Sequence, residues 1–331
     1  MRQALLRTLF LCAFLSGALT ALAPSASAQS WPTRPVTMVV PFAAGGPMDT
    51  VGRIIAVSLS DTLGQSVIVE NVGGAGGMTG SARVAKAAPD GSQFVLGNVG
   101  THAVAQTLSK NPPYNVMNDF APVGLFADLS LVLVARKDLP AGNLKEFIAY
   151  AKANQDKMQF GSASAGSATH LGCALLNAAA GVSITHIPYR GGAPAMQDLV
   201  GGRIDYLCID TPIAIPLIES GQIKALAILT QARSSSLPNL PSAQEQGLAG
   251  FEAANWAAFF LPKGTPEPIV QKLNAATAAA LDNPTIQKRM KDIGIDPVGA
   301  DRRSSAYLAK FAEGEIAKWG SAVKAAGVTA E

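Results

Sequence analysis

The sequence contains few side chains that bind metal ions or act as nucleophiles. Among its 331 residues there are three histidines and three cysteines. His102, His170 and His186 form no H-x-x-x-H or H-E-x-x-H pattern, so neither a metal site nor a metal cofactor is expected. Cys173 and Cys208 both have apolar neighbours, and buried free thiols are favoured over a disulfide, which sequence spacing alone cannot establish.

A strong excess of charge of one sign is also absent. The 26 basic residues nearly balance the 23 acidic ones, and no basic cluster occurs. Nucleic acid is therefore not expected as a partner. After residue 28 the sequence also lacks an apolar run long enough to cross a bilayer, which favours a soluble protein.

The first 28 residues are typical of a secretory signal peptide. Arg2 and Arg7 precede an apolar stretch, and a small-residue cleavage site, Ala-Ser-Ala, ends at position 28. A retained membrane anchor is the alternative, but Ser16 and Gly17 interrupt the apolar stretch. Export would leave about 300 residues, enough for two ordinary domains. No feature of the sequence drives oligomerisation, so a monomer is expected.

Strand-like and helix-like segments alternate along most of the chain. A helix is predicted over residues 51–63, with Val51, Ile55 and Leu59 on its apolar face. The alternation predicts an α/β fold with mainly parallel sheets, whose ligands bind beyond the carboxyl ends of the strands. Polar, proline-containing segments at 112–119 and 234–241 suggest that the chain leaves one domain and later returns to it. The predicted strands are 36–40, 67–69, 94–96, 131–134, 158–160, 184–187, 204–209, 225–229 and 257–261.

A glycine-containing loop, VVPFAAGGPMDT at 39–50, follows the first predicted strand. Gly46 is expected to cap the next helix, Pro47 to occupy its first position, and Asp49 to reach back to the Gly46 backbone. Gly45 and Gly46 allow close approach of a ligand to the backbone, and the free N–H groups at a helix start favour an anion. An ordinary strand-to-helix turn is the alternative.

A second loop, at 159–181, repeats this arrangement of strand, Gly/Ser loop and helix. Ser167 is the expected N-cap and Gly181 the expected stop, while Ser162, Ser164 and Thr169 add hydroxyl groups. One such loop in each half of the chain would place two helix N-termini across a cleft. That geometry suits a small molecule that carries carboxylates.

The remaining motifs do not support a nucleotide site or an enzyme. GGAGGMTGS at 73–81 lacks the spacing of a dinucleotide fingerprint or a P-loop, and is expected to shape a turn at the edge of the cleft. GSASAG at 161–166 contains no G-x-S-x-G frame. His170 is expected as a cap or ligand contact, and His186 as a core or edge residue. Asp210 ends a strand, so it either faces the ligand or caps a helix; Tyr189 either closes over the ligand or packs between domains.

Several longer motifs together resemble the Bug family, the TctC-type periplasmic solute-binding proteins of tripartite tricarboxylate transporters. They occur in order over essentially the whole chain after residue 28: WPTRPVTMVVPFAAGGPMDTVGRIIA, VENVGGAGGMTGSARVAKAAPDG, GTHA, FAPVGLFA, HIPYRGGAPAMQDLVGGRID, LPSAQEQGL, PKGTPEPIVQKLN and EIAKWGSAVKAAGV.

The resemblance implies a type II periplasmic binding protein fold, with two doubly wound α/β domains around a hinged cleft. Residues 29–127 and 253–331 would form one domain and 128–252 the other. The family binds a ligand carboxylate through its two Gly/Ser loops. Carried over to this sequence, the ligand-binding residues are Phe42, Ala43, Ala44, Gly45, Gly46, Met48, Asp49, Thr101, Ser162, Ser164, Ala165, Gly166, Ser167, Thr169, His170, Tyr189 and Asp210.

Some positions depart from the family pattern. Met48 replaces the usual threonine of the first loop, and Ala163, Ala165 and Ala168 occupy the second loop where the family carries Gly-Thr or Gly-Asn pairs. A more apolar cleft is expected, which favours an aromatic or short aliphatic carboxylate over citrate.

The expected function is therefore that of a periplasmic receptor without enzymatic activity. It would capture a small organic carboxylate and deliver it to the integral membrane subunits of a tripartite tricarboxylate-type transporter, with no cofactor. Two alternatives are a receptor that reports the solute to a membrane sensor kinase and a periplasmic serine hydrolase that uses a loop serine.

Overall fold

The computed structural model describes residues 31–109 and 111–325. The predicted signal peptide, residues 1–28, lies outside them. Within the described residues, no helix is both long and apolar enough to span a membrane. The strands are β1 Val36–Val40, β2 Val67–Asn71, β3 Gln93–Gly97, β4 Phe120–Arg136, β5 Gln159–Ser162, β6 Thr185–Pro188, β7 Tyr206–Asp210, β8 Ile223–Ile228, β9 Ala254–Pro262 and β10 Ile295–Pro297.

Helices follow most of these strands, as the alternating sequence pattern predicts. Short helical segments that are not α-helical lie at Ala75–Gly77, Gly100–Val104 and Ala300–Arg302. The α-helices are α1 Pro47–Leu63, α2 Met78–Ala85, α3 Ala105–Leu108, α4 Val116–Asp119, α5 Leu144–Asn154, α6 Ala168–Ala180, α7 Gly192–Val200, α8 Thr211–Glu219, α9 Glu267–Asp282, α10 Pro284–Asp292 and α11 Ser305–Ala325.

The long strand β4 connects two sheets, which define two lobes. In the first lobe β1 lies between β2 and β3, and the N-terminal part of β4 pairs with β9 from Phe120 to Ser130. From Leu131 onward β4 instead pairs with β7 and β8 of the second lobe, in which β5 lies between β6 and β7. The backbone therefore passes from one lobe to the other within a single 17-residue strand.

The expectation of mainly parallel sheets is only partly right. The strand pairs of β1 with β2 and β3, and of β5 with β6 and β7, are parallel. Every described pair that involves β4 or β9 is antiparallel. The sequence indicated only 131–134 of β4, because Pro122 and Gly124 interrupt the strand pattern at a shift in its register with β9.

One contiguous apolar core extends through both lobes, and a smaller apolar cluster lies within the second lobe. In the first lobe Phe94 of β3 packs edge-on against Phe259 of β9, with ring centroids 5.0 Å apart, and Phe126 stacks on Phe259 at 4.5 Å. Such aromatic pairs add to the free energy of burial.

The expectation of free thiols is wrong. Cys173 on α6 and Cys208 on β7 form a disulfide with their Cα atoms 5.3 Å apart. Both residues are fully buried, as expected, but α6 packs directly on β7 and brings the two side chains together. Apolar neighbours in the sequence show burial and give no information on this contact.

Candidate functional site

The first loop begins where β1 ends and has the local structure that its residues predict. Gly46 is the N-cap of α1, and Pro47 is its first residue. Asp49 accepts a 2.9 Å hydrogen bond from the N–H of Gly45, so the expected partner, Gly46, is wrong by one residue. Burial raises the pKa of Asp49, but hydrogen bonds from Arg53 and Gly45 outweigh this and lower it overall. The ionised carboxylate fixes the loop at the start of the helix.

The second loop, between β5 and α6, uses most of its hydroxyl groups to hold its own shape. Ser167 caps α6 by accepting a 3.3 Å hydrogen bond from the N–H of His170, and its hydroxyl donates to the carbonyl oxygen of Ser164 at 2.7 Å. Thr169 Oγ1 accepts a hydrogen bond from the N–H of Ala163 at 2.8 Å. Ser167 is therefore the N-cap that the sequence predicts, and Gly181 ends the helix in a left-handed conformation.

Two histidine side chains, His170 and His186, contact this loop. The rings of His170 and His186 stack with centroids 4.0 Å apart, and His186 Nε2 lies 2.7 Å from the hydroxyl oxygen of Ser162. Burial lowers the pKa of His170 to about 4, and burial together with His170 lowers that of His186 to about 3. Both imidazoles are therefore neutral at pH 7.

A third loop, Gly73 to Gly77, brings the lobes into contact. The N–H of Gly76 donates a 3.0 Å hydrogen bond to Oγ of Ser164 in the second loop. The Gly-rich stretch thus lies at the edge of the cleft, as the sequence indicates, and it touches the opposite lobe directly.

Two cavities lie between the loops. The larger has a volume of about 470 Å³, and the smaller, of about 20 Å³, is roughly the size that one water molecule needs. Phe42 and Ala163 line both cavities, so the two are adjacent.

Many, but not all, of the predicted site residues line these cavities. The larger cavity is lined by the predicted residues Phe42, Ala43, Ser164 and Tyr189. The smaller is lined by the predicted residues Phe42, Gly46, Met48, Ser167, Thr169 and Asp210. Neither lining includes Ala44, Gly45, Asp49, Thr101, Ser162, Ala165, Gly166 or His170.

Other lining residues are not among the predicted ligand-binding residues. The larger cavity is also lined by Gly73, Gly74, Ala75, Gly77, Ala163 and Arg190. The smaller is also lined by Pro47, Asn98, Ala168 and Gly192. The sequence signal that could have placed the third loop in the cavity wall is its high number of glycines. Four successive residues of this loop have positive φ, a conformation that favours glycine, and glycine adds no side chain to the wall.

Asp210 faces the smaller cavity from the end of β7. It precedes α8 but makes no side-chain cap, so of its two expected roles the structure does not support capping. Asn255 Nδ2 donates a 2.8 Å hydrogen bond to its carboxyl group, which is 2% exposed. Burial raises the pKa of Asp210 to about 7, and the Asn255 hydrogen bond partly opposes that rise.

The hydroxyl groups of Thr101 and Tyr189 form hydrogen bonds with other residues of the protein. Thr101 is fully buried, and its hydroxyl accepts a 3.0 Å hydrogen bond from the N–H of Asn98. The phenol of Tyr189 donates to Asp198 at 2.7 Å, and burial together with Asp198 raises its pKa to about 12. Tyr189 thus contributes to the cavity wall while its hydroxyl group is held by Asp198.

The described residues show neither a metal site nor a complete catalytic triad. No group of three or more histidine, cysteine or acidic side chains within them is arranged to hold a metal ion. Ser162 is the loop serine whose hydroxyl contacts a histidine ring, but it is fully buried and this hydroxyl also donates to the carbonyl oxygen of Ser164. Ser164, which lines the cavity, accepts from Gly76.

Comparison with known proteins agrees with this geometry. The sequence pattern of the "Tripartite tricarboxylate transporter family receptor" family, TctC, matches residues 51–328. The structure of the periplasmic binding protein BugD is similar with a TM-score of 0.87 and 42% identity, over 90% of this chain and 99% of that one. MatC from Rhodopseudomonas palustris, solved with bound malate, has a TM-score of 0.85 and 41% identity, over 88% of this chain and 100% of that one.

Another similar structure is Rpa4515 from R. palustris, solved with adipate. It has a TM-score of 0.87 and 36% identity, over 90% of this chain and 99% of that one. The resemblance carried by the sequence motifs is confirmed, and so is the two-lobed α/β fold that it implies. The chain belongs to the TctC family of tripartite tricarboxylate transporter receptors, which includes the Bug periplasmic binding proteins.

Proposed function

We propose that this protein is a periplasmic receptor that binds a small organic carboxylate between its lobes. One observation carries the proposal: the first turns of α1, α6 and α7 meet at the smaller cavity, where Gly46, Ala168 and Gly192 line the wall. Each helix start presents free backbone N–H groups and the positive end of a macrodipole. A carboxylate is the small-molecule group that such a wall favours.

The ligand would act by stabilising the closed arrangement of the lobes. Residues 29–127 and 253–331 would form one domain and 128–252 the other. The change of partner strands along β4 between Ser130 and Leu131 supports a boundary close to residue 128. A ligand that contacts both loops binds the closed form better than the open form, and so shifts the equilibrium towards it.

The neighbouring structures support the ligand class. MatC was solved with malate and Rpa4515 with adipate, and both are carboxylates. The cavity walls of this chain carry Met48, Ala163 and Ala168, whose apolar side chains favour a less highly charged ligand than citrate. The partners would be the integral membrane subunits of a tripartite tricarboxylate-type transporter, to which a monomeric, cofactor-free receptor delivers the ligand after export by its signal peptide.

A thermal-shift screen of refolded residues 29–331 against amino acids, dicarboxylates, tricarboxylates and aromatic acids tests this proposal. Refolding removes any ligand that was purified with the protein. A ligand at a hundredfold its dissociation constant adds about 2.7 kcal/mol to the free energy of unfolding, which gives a clear rise in melting temperature.

Variants then locate the binding site. Ser164→Trp, which fills the larger cavity, should abolish the shift, whereas Ser183→Trp on the exposed surface should not. A shift that survives Ser164→Trp, or no shift with any acid, would contradict the proposal. Hydrolysis of generic esters that Ser164→Ala abolishes would favour the hydrolase instead.

A further inference from the structure

The carboxyl group of Asp210 is buried beside the smaller cavity without a cation to balance it. Asp210 is the last residue of β7, is 2% exposed and lines this cavity. Asn255 Nδ2 donates a 2.8 Å hydrogen bond to its Oδ1. Within the described part of the chain, no lysine, arginine or histidine forms an ion pair with it.

The orientation of Asn255 shows which oxygen of Asp210 can carry a proton. The Oδ1 atom of Asn255 accepts hydrogen bonds from the N–H of Trp256 at 2.9 Å and of Val99 at 3.4 Å. Its amide nitrogen therefore faces Asp210, and Oδ1 of Asp210 is an acceptor in either protonation state. A proton on this carboxyl group then resides on Oδ2, for which the described residues supply no acceptor.

The hydroxyl groups in the wall of the smaller cavity have no proton left for a ligand. Ser167 donates its hydroxyl proton to the carbonyl oxygen of Ser164 at 2.7 Å. Thr169 Oγ1 lies 2.9 Å from Ser167 Oγ, so Thr169 is the donor of this second bond. Of the residues that line this cavity, only Asp210 carries an acidic or basic side chain. Asp210 is therefore the group whose protonation can change when an anion binds there.

The charged and titratable groups around Asp210 are in ion pairs, are exposed or are neutral. The elements β4, β5, α6, α7 and α8 pack on β7, and the start of α1 and Asn98 complete the cavity. Burial lowers the pKa of His102 to about 3 and that of His170 to about 4, so both are neutral. The other groups are paired, Asp49 with Arg53, Asp128 with Arg302, Arg136 with Asp205 and Asp198 with Arg203, or exposed, Asp61 and Glu219.

Burial is therefore what determines the protonation of Asp210. It raises the pKa of this carboxyl group to about 7, and no neighbouring charge contributes to the rise. Near neutral pH the protein without ligand contains both the protonated and the ionised form.

A ligand carboxylate in the smaller cavity lies beside Asp210, because the cavity has a volume of only about 20 Å³. Two ionised carboxylates so close together, and shielded from water, repel each other strongly. One proton between them removes this repulsion and forms a short, charge-assisted O–H···O hydrogen bond. The starts of α1, α6 and α7 stabilise the negative charge on the ligand, so the proton stays on Asp210.

We propose that Asp210 binds the ligand carboxylate as a neutral carboxylic acid, by donating a hydrogen bond from Oδ2–H, and that the receptor takes up one proton from solvent with its ligand above neutral pH. This inference rests on the proposed function, because it places a ligand carboxylate at the helix starts. It makes ligand binding sensitive to pH, since the affinity falls as Asp210 ionises in the free protein.

Isothermal titration in buffers of different ionisation enthalpy measures the number of protons that are taken up. L-Glutamate, succinate, citrate and benzoate represent the four ligand classes of the screen, and the acid that binds most tightly is the probe. The wild-type protein should take up about one proton per ligand at pH 8 and close to none at pH 6. The dissociation constant should rise from pH 7 to pH 8.5, by up to about tenfold per pH unit.

The variant Asp210→Asn separates the proton from the hydrogen bond. Asparagine accepts from Asn255 through its oxygen and donates to the ligand through its nitrogen, but it does not titrate. The variant should therefore bind the probe without proton uptake at pH 8, and its dissociation constant should not depend on pH in this range. Asp61→Asn is the matched control, because it removes an exposed carboxylate of α1 that does not line the cavity. This control should take up protons as the wild-type protein does.

The outcomes that contradict this inference differ from those that contradict the receptor function. Binding of the probe to the wild-type protein at pH 8 without proton uptake would overturn the role of Asp210. Proton uptake that persists in Asp210→Asn would overturn it too, and the receptor function stands in both cases. If neither these four acids nor any other acid of the screen binds, the proposed function is wrong, and the proton-linked inference fails with it. Melting temperatures without ligand check that both variants are folded.

Discussion

The N–H of Gly76 donates a 3.0 Å hydrogen bond to Oγ of Ser164, and this contact joins the two lobes beside the larger cavity. Gly76 has a φ of +67°, and a Cβ atom at this position would lie 2.6 Å from the carbonyl oxygen of Ala165. Since non-bonded carbon and oxygen atoms do not approach so closely, the observed contact between the lobes requires glycine at this position. The third loop therefore controls how closely the lobes approach each other.

Gly76→Ala should weaken ligand binding by at least about tenfold, because the new methyl group disfavours the closed form that the ligand needs. Isothermal titration with the best ligand of the screen measures this. Gly250→Ala is the matched control: Gly250 has a similar φ of +73°, but no atom lies within 4 Å of the place that an added methyl group would occupy. It carries the same backbone strain, about 1–2 kcal/mol, without touching the cleft. Equal affinities for the two variants would contradict the role of Gly76.

Asp210→Asn should stabilise the protein more at alkaline than at acidic pH. The folded-state pKa of Asp210 is raised to about 7 from its ordinary value of 3.8. Between these values the folded state holds a proton that the unfolded state has lost, so Asp210 lowers stability as pH rises from 4 to 7. Asparagine does not titrate and can still accept the hydrogen bond from Asn255.

Urea unfolding of both proteins at a series of pH values checks this. The free-energy difference between variant and wild type should grow with pH, by up to about 1.4 kcal/mol per unit, and level off above pH 7. A difference that does not change with pH would show that Asp210 titrates normally.

His186→Gln should make the protein less sensitive to acid. The folded-state pKa of His186 is about 3, against an ordinary value of 6.5, so the unfolded state binds a proton that the folded state excludes. Stability is therefore lost as pH falls from 6.5 towards 3. Glutamine does not titrate and keeps a donor for Ser162. Between pH 7 and pH 4 the melting temperature of the variant should fall less with decreasing pH than that of the wild-type protein. Equal decreases would contradict the lowered pKa of His186.

Replacing Cys173 and Cys208 with alanine should lower the free energy of unfolding by about 2–5 kcal/mol, as for other native disulfides. The bond spans 35 positions and links α6, which carries the second loop at its start, to β7, which ends at Asp210. Urea unfolding with and without reductant checks the prediction. Reductant should destabilise the wild-type protein and leave the double variant unchanged. Two thiols titrated in the denatured, non-reduced wild-type protein would contradict the disulfide.

Local signals in the sequence were sufficient for much of the fold and part of the site. Pro47 and Ser167 mark the starts of α1 and α6 because proline and serine have specific positions at a helix N-terminus. The strand β1 was predicted with its observed bounds, Val36–Val40, since its apolar run ends at a proline.

Contacts between segments that are distant in the sequence could not be predicted from such local signals. The pairing of Cys173 with Cys208 depends on how α6 packs on β7, and the place of Arg190 in the cavity wall depends on how the loops of the two lobes meet. The register of β4 with two different sheets is likewise a property of the folded chain. Local propensity contains no information on these relationships, although the family motifs predicted the two lobes that produce them.

The most direct test of carboxylate binding between the lobes is a crystal structure of the protein with the strongest ligand of the screen. We expect electron density between the lobes, with one carboxylate at the starts of α1 and α6 and the rest of the ligand in the cavity lined by Ser164 and Tyr189. Density for the ligand at any other place, with this cavity filled only by water, would contradict the proposed binding site.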